Sequence, residues 1–319
     1  MDYHESNILG KFWTERVATL PTWTTADKGR IVYAIDVDKF YTGGDTGWET
    51  LESELTRWAG YSIPSNFEYY SRTAVYINPC RYHIQDNFGN ERLVKTLSGF
   101  IYNFGSGGDN SNSDDLNTSD WHYLYLDWSS IDATYDDFGY LHSYNLINSK
   151  EEPAWSSTKN GWYGQGFTNV TAEDRCICAF RTRSSAAQLE KFWMLDDRCI
   201  RWADYYQNFA IVAHQTWPTT WTNKATYCPS FSNMIMVITD PHQSVKTKSQ
   251  FFYWRPPNST SQFLLARYYY DVSGDNQGDH RVTNYVDYVV VNDSKELAVL
   301  GTSQYCALYQ KGYYLPNGM

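Results

Sequence analysis

The sequence predicts an all-β protein: an antiparallel β-sandwich body of jelly-roll type, preceded by a small β-hairpin module. Three observations predict it. Runs rich in β-branched and aromatic residues recur from about residue 65 to the end, separated by Gly, Asn, Asp, Ser and Pro. Aromatic residues make up 18% of the 319 residues, with 28 Tyr, 13 Trp and 15 Phe, a surplus that suits sheet cores and contacts between copies. No strand–helix–strand rhythm is present, which argues against doubly wound and (β/α)8 folds.

Residues 1 to 27 read as an arm with apolar anchors at Ile8, Leu9, Phe12 and Trp13. Lys28 to Glu52 reads as a two-stranded unit. Ile31, Tyr33 and Ile35 alternate with Val32, Ala34 and Asp36, and Lys39, Phe40 and Tyr41 begin the return. Gly43 and Gly44 are expected to supply the positive φ of a tight turn, with Trp48 as the closing anchor. A lone hairpin is marginal in water, so this unit must lie against the rest of the chain or a second copy. Ile31, Tyr33, Phe40, Tyr41 and Trp48 are therefore assembly candidates. Leu51, Leu55 and Trp58 share one face of a short helix. The boundary of the attachment module falls near residue 60, giving 1–60 and a body over 61–319, with a subdivision near 205 as the alternative.

In the body, TAVYINP and SGFIYNFG read as strands. WHYLYLDW is the clearest: Trp121, Tyr123, Tyr125 and Asp127 take one face, and His122, Leu124, Leu126 and Trp128 the other. Large side chains on both faces predict a strand covered on both sides. DRCICAFRT, NFAIVAHQT, NMIMVITD, QFLLARYYYDVS and DYVVVND follow as strands. SSAAQLEKFW fits either a brief helix or a turn between strands. In FYWRPPNSTS, two prolines stop strand pairing. Arg255 lies between Trp254 and Pro256, where a cation–π contact fits. Trp254 and Arg255 join the assembly candidates.

Charge and composition exclude several classes. Lys plus Arg is 26 against 36 Asp plus Glu, a formal charge of -10, and the densest acidic stretch, Gly107–Asp115, repels phosphate. Nucleic acid is not an expected partner. No apolar run is long enough to span a bilayer, so membrane insertion is not expected. The N-terminus lacks a basic start followed by an apolar core, so export through a cleaved leader is not expected either. Six cysteines (Cys80, Cys176, Cys178, Cys199, Cys228 and Cys306) do not make a disulfide scaffold. The Cys176-x-Cys178 spacing is a weak metal signal, and buried thiols acting as small hydrophobes are the preferred reading.

Two segments carry a resemblance. Gly29, Arg30, Ile31, Val32, Tyr33, Asp36, Lys39, Phe40, Tyr41, Gly43 and Trp48 resemble hairpin units that recur in bacteriophage fibres and other virion surface proteins. There a G-R-I-V-Y-x-x-D segment leads into K-F-Y-x-G and a tryptophan. Trp121–Ile131, Glu152–Gly166 and Asp174–Trp193 resemble a β-rich module of phage tail-fibre and head-fibre proteins, with an aromatic strand ending in Y-L-D, a P-x-W loop, G-W-Y and a D-R-C-I-G-A-F strand. Cys178 stands where that pattern has glycine, and the intervening loops are longer. The resemblance covers about half of the chain. It implies a virion surface protein made in the host cytoplasm. Such proteins are commonly homotrimeric, attached to other virion proteins, with some of them binding host-surface glycans or receptors.

No enzyme motif stands out. A glycoside hydrolase needs two facing carboxylates, but Asp109, Asp114, Asp115, Asp120, Asp136 and Asp137 show no spacing that singles out a pair. Asp127, inside an aromatic strand, reads either as a buried carboxyl with a raised pKa or as the acceptor of an adjacent turn. A G-x-S-x-G elbow, a phosphate-binding G-x-x-x-x-G-K-[ST] loop and H-E-x-x-H are absent. No catalytic residue, metal ligand or cofactor is expected. The Asn-, Gly- and Asp-rich loops GDNQGDH and GSGGDNSNSDD have oxygen ligands suited to structural calcium, although solvated turns explain them as well. Glycan contact has better candidates. Trp155, Trp162 and Tyr163 flank a loop with Asn160 and Gln165 close by, and Trp217 with Trp221 forms a second exposed-looking cluster. Against this, Trp and Tyr are more often core or interface residues. The expected function is a non-enzymatic, oligomeric virion appendage. The alternatives are a capsid decoration or collar protein, or a glycan depolymerase.

Overall fold

A computed structural model describes residues 2–6, 12–28, 30–34, 39–43, 46–50, 67–96, 98–135, 139–195, 198–203, 209–213, 217–241, 250–261, 263–270, 280–282, 286–301, 306–316 and 319. The chain divides into two compact units, Met1–Tyr61 and Ser62–Met319.

The first unit is a sheet built from β1 (Asp2–Ser6), β2 (Phe12–Val17), β3 (Ile31–Ala34), β4 (Lys39–Gly43) and β5 (Trp48–Thr50), paired in that order. The expected arm is thus sheet: β1 and β2 pair antiparallel, and β2 runs parallel to β3. This is how the marginal hairpin acquires a neighbour. β3 and β4 pair antiparallel, Val32 opposite Tyr41 and Tyr33 opposite Phe40. The β3–β4 connection spans 35–38, and Gly44, between β4 and β5, lies outside the described residues. Gly43 ends β4, and its φ is not in the left-handed region. It is glycine because a Cβ would lie 1.8 Å from the Asp27 carbonyl oxygen, while its N–H donates to Arg30 O at 2.9 Å. Asp27 closes this corner by accepting from Arg30 NH1 at 2.5 Å and from Thr24 N and Oγ1, both at 2.9 Å. Trp48 does act as an anchor, its Nε1 donating to Pro21 O at 2.7 Å with the Arg30 guanidinium 6.0 Å above the ring. The expected helix over Leu51–Trp58 lies outside the described residues.

The second unit is all-β, with antiparallel pairing throughout its named strands. It opens with β6 (Phe67–Ser71), β7 (Ala74–Ile77), β8 (Arg81–Gln85), β9 (Glu91–Lys95) and β10 (Phe100–Asn103). β10, β7 and β6 form one sheet, and β8 with β9 a two-stranded ribbon. Next come β11 (Trp121–Leu126), the helix α1 (Trp128–Thr134), β12 (Leu146–Ser149), β13 (Ala154–Ser156), β14 (Gly161–Tyr163) and β15 (Arg175–Arg181). Their sheet has the order β12-β11-β15-β14-β13.

The remaining strands are β16 (Phe192–Leu195), β17 (Cys199–Trp202), β18 (Ala210–Val212), β19 (Thr222–Ala225), β20 (Met234–Pro241), β21 (Gln250–Arg255), β22 (Phe263–Tyr270), β23 (His280–Val282), β24 (Val286–Val290), β25 (Glu296–Gly301) and β26 (Cys306–Tyr314). They form two further sheets, β16-β17-β26-β20-β24 with β18 also on β26, and β19-β25-β21-β22-β23. The described strands of this unit therefore fall into five sheets rather than the two of a jelly roll. One apolar cluster runs through the unit from Phe67 to Met319, on both sides of residue 205.

β11 is covered on both faces, as its side chains required, with Tyr123 through Leu126 all at 1% exposure or less. Its partner β15 carries a bulge: Leu124 faces Cys178 but Tyr125 faces Cys176, so Ile177 is the extra residue. The strand stops earlier than its apolar run. Asp127 becomes the N-cap of α1, accepting from Ser130 N at 3.1 Å and Ser129 Oγ at 2.8 Å, and so it serves the adjacent turn. The segment after Thr182 is bent rather than helical before β16 begins.

Aromatic rings join the sheets. Phe180 of β15 meets Phe67 of β6 at 5.5 Å, Phe104 at 5.6 Å and Phe192 of β16 at 5.2 Å. Trp121 packs edge-on to Tyr313 at 5.3 Å, and the buried Tyr313 hydroxyl donates to Ala179 O. Arg181 sits among three rings, 5.5 Å from Trp121, 5.8 Å from Phe209 and 5.2 Å from Tyr227. Burial lowers its pKa, which the nearby acidic groups of Tyr227, Glu190 and Asp120 partly offset. Arg181→Met keeps the apolar stem and removes the cation, and is expected to cost about 2 kcal/mol in urea unfolding. A loss below about 0.5 kcal/mol would show that the rings do not hold the charge.

Candidate functional site

The residues singled out around Pro153–Gly166 form one hairpin, β13–β14, at the edge of the central sheet. Trp155 faces Trp162 across the two strands, the rings edge-to-face at 5.6 Å. Trp162 turns inward and meets Phe231 at 6.0 Å. Its Nε1 is buried without a hydrogen-bond partner among the described residues. Trp155 remains 46% exposed, so one ring stands on a fixed base with surface open to solvent. Tyr163 points to the opposite face and is buried at 2%, its hydroxyl accepting from Gln85 N at 3.3 Å. It is a packing residue, and burial raises its pKa.

The hairpin turn is braced. Asn160 takes a left-handed φ of 49° and is exposed. Lys159 crosses the Tyr163 ring at 4.7 Å and donates to Asn87 Oδ1 at 2.7 Å and Ala172 O at 2.6 Å. Burial lowers its pKa. One ammonium therefore ties the β13–β14 turn to the β8–β9 turn and to the loop before β15. The β8–β9 turn is itself organised by Asp86, which accepts from Phe88 N and Asn90 N, both at 2.8 Å.

Glu151, which sequence reasoning did not single out, shapes the loop after β14. The carboxylate is buried and accepts from the Gln165 N–H, from Gly166 N at 2.8 Å, Phe167 N at 2.9 Å, Thr168 N at 2.8 Å and Thr168 Oγ1 at 3.0 Å. Successive amides facing one anion form a nest. Gln165 is exposed, with its Nε2 donating to Glu152 O at 2.8 Å, and Phe167 projects at 77% exposure. The available signal was the run GQGFTN, whose turn amides need an acceptor.

The second expected cluster does not form as read. Trp217 is 3% exposed and packs on Phe252 at 4.7 Å, because it fills the space left by Gly301, whose Cβ would lie 2.9 Å from its ring. It offers no ring to solvent. Trp221 is half-buried under the Arg255 guanidinium at 4.2 Å. The cation–π contact of Arg255 is therefore with Trp221 rather than its chain neighbour Trp254, which is buried and stacks on Phe263 at 4.9 Å. Of the assembly candidates in the first unit, Ile31 is 42% exposed and Tyr41 and Trp48 are half-buried. The side chains of Tyr33 and Phe40 lie outside the described residues.

The acids expected to offer calcium or catalysis are engaged locally. Asp109 accepts from Asn103 N at 2.6 Å, Asp114 from Lys150 N at 2.8 Å and Asp115 from Ser106 N at 2.8 Å. Asp136, Asp137 and most of GDNQGDH lie outside the described residues. Among the described residues, no group of three or more His, Cys, Asp or Glu is placed to hold a metal ion. Cys80, Cys176, Cys178, Cys199 and Cys228 are buried, and burial pushes the Cys228 thiol up to about 11 and those of Cys176 and Cys178 higher. Among the described residues, no helix is long and apolar enough to cross a membrane.

Two buried titratable groups lie on β11 and just before β15. Asp174 accepts from Trp128 N at 2.8 Å and Thr171 N at 2.6 Å, and burial raises its pKa to about 6. His122, fully buried on β11, has its Nδ1 3.2 Å from Asn148 Nδ2, and burial lowers its pKa to about 4. Asn148 Nδ2 is a donor, so His122 Nδ1 is the acceptor and Nε2 carries the proton of a neutral ring. Both groups read as buried members of the core rather than as a facing acid–base pair. No protein-family model matches the chain, and no curated protein sequence matches it.

Proposed function

We propose that this chain is a non-enzymatic surface protein of a bacteriophage virion that assembles as an oligomer and contacts host-surface glycans through the β13–β14 hairpin. The observation that carries the glycan contact is Trp155, a half-open indole held edge-to-face on Trp162 at 5.6 Å, on a turn braced by Lys159. Sugars bring apolar C–H faces and hydroxyls together. A fixed aromatic surface with exposed amide side chains, here Asn160 and Gln165, suits them. The virion assignment rests on the sequence resemblance. A homotrimer attached through its N-terminal unit would display several hairpins at once, so that weak contacts add.

A glycan array run beside a reducing-end release assay tests this. Trp155→Ala is expected to weaken binding to at least one glycan on the array tenfold or more, about 1.4 kcal/mol, with the thermal midpoint unchanged and no sugar released by either protein. Release of sugar would replace this reading with a depolymerase. No binding and no release would leave a decoration or collar role.

A further inference from the structure

A second concave site lies away from the hairpin. Thr96, Ser98 and Phe100 on one side and Tyr140–Tyr144 on the other line a groove of about 320 Å³. Its described lining combines aromatic rings (Phe100, Tyr140, His142 and Tyr144) with the hydroxyls of Ser98 and Ser143, and none of it is Lys, Arg, Asp or Glu. The His142 and Tyr144 rings are stacked at 5.0 Å with 14° between planes, and Tyr144 keeps 45% of its surface exposed.

The Tyr140–Tyr144 wall is preorganised. Lys95 N donates to Gly139 O and Leu141 N to Lys95 O, both at 2.8 Å, which fixes its start to the end of β9. Buried Asn145 holds the turn at its other end. Its Oδ1 accepts from His142 N at 3.0 Å, and its Nδ2 donates to Ser130 Oγ at 2.9 Å and Thr134 Oγ1 at 3.1 Å. A site already ordered loses less entropy on binding.

We propose that this groove is a binding site for a neutral sugar unit of a glycan, with Tyr144, backed by His142, as the ring platform and Ser98 and Ser143 as hydroxyl partners. The described lining carries no Lys, Arg, Asp or Glu, which selects a neutral sugar over a uronic or sialic acid, because an anion there would lose its hydration with no Lys or Arg to replace it. The volume admits one pyranose ring and part of its neighbour, so recognition falls on an internal or terminal unit rather than a long chain. The inference extends the reading that this chain contacts glycans, but it uses none of the hairpin residues.

The test is an array of neutral glycans with glucose, galactose, mannose and N-acetylglucosamine ends, with sialylated and uronate glycans as controls. Wild type, Trp155→Ala, Tyr144→Ala and Ser98→Trp are compared. Tyr144 and Ser98 are exposed, so both variants are expected to fold, which a thermal midpoint checks. Neutral-glycan binding that persists in Trp155→Ala and falls at least tenfold in both Tyr144→Ala and Ser98→Trp supports the groove. Neutral binding lost in Trp155→Ala alone overturns it while leaving the hairpin reading in place. No neutral-glycan binding by wild type, or binding only to the acidic controls, overturns it as well.

Discussion

Glu151→Gln is expected to destabilise the protein by about 3 kcal/mol and to free the loop that follows β14. The carboxylate takes four consecutive backbone N–H groups and one hydroxyl while almost excluded from water. Each hydrogen bond to a charged acceptor contributes about 1.5–3 kcal/mol, and a buried donor left unmatched costs about as much. Glutamine keeps the size but turns one acceptor oxygen into an N–H₂ facing two N–H donors. Part of the loss is recovered because the Gln165–Thr168 loop is exposed and its amides can return to water. Urea unfolding measures the loss, and amide hydrogen exchange at Gly166, Phe167 and Thr168 locates it. A variant within 1 kcal/mol of wild type, with those amides still protected, would show that the nest does not organise the loop. Because Gln165 lies in this loop, the substitution is also expected to weaken any contact that depends on it.

Between pH 6.5 and 4 the stability of the wild-type protein is expected to vary little, because two buried groups oppose each other. His122 has a folded pKa of about 4 against an ordinary 6.5. The unfolded chain binds the extra proton, so its stabilising contribution is complete above pH 6.5 and is lost as pH falls to 4. Asp174 has a folded pKa of about 6 against an ordinary 3.8. Here the folded chain binds the extra proton, so stability is greatest below pH 3.8 and is lost as pH rises through 6. Each shift corresponds to about 3 kcal/mol. Asp174→Asn removes one arm. Its baseline is lower, since an amide cannot accept from both Trp128 N and Thr171 N, but its stability is now expected to fall by about 3 kcal/mol from pH 6.5 to 4. Urea midpoints at the two pH values measure this. Asp27, held low by the Arg30 hydrogen bond, and Asp115, held low by the Ser106 N–H, titrate below that window. Parallel pH profiles for wild type and Asp174→Asn would refute the opposition.

Much of the fold was legible along the chain. β11, β15, β20, β22 and β24 announced themselves through dense β-branched and aromatic runs, and the double-sided apolar pattern of β11 matched its burial. Other readings failed for a common reason. Gly43 looked like a turn residue, but its role is to let a backbone carbonyl approach from Asp27. Trp217 and Trp155 look alike in their local sequence, yet one fills a gap beside Gly301 and the other stands half in water. Asp127, read either as a buried strand carboxyl or as a turn acceptor, took the second role as a helix cap. In each case the deciding neighbour lies elsewhere in the chain or in a turn whose course the pattern does not fix.

The candidate site divides in the same way. Trp155, Trp162 and Asn160 were legible as a loop flanked by indoles, but the hairpin that pairs the two rings and the left-handed turn at Asn160 appear only in the fold. Glu151 was not legible, because a carboxylate becomes a loop organiser only when the chain folds back to bring four amides around it. Nor was the groove beside Tyr144, whose two walls are about forty residues apart. The sequence by itself determined the β class, the position of its most apolar strands and the stock of aromatic surface, since periodicity and propensity act over a few residues. The tertiary structure alone decided which rings are buried, which carboxylates are enclosed and where concave surface remains, since burial and desolvation depend on contacts between distant segments.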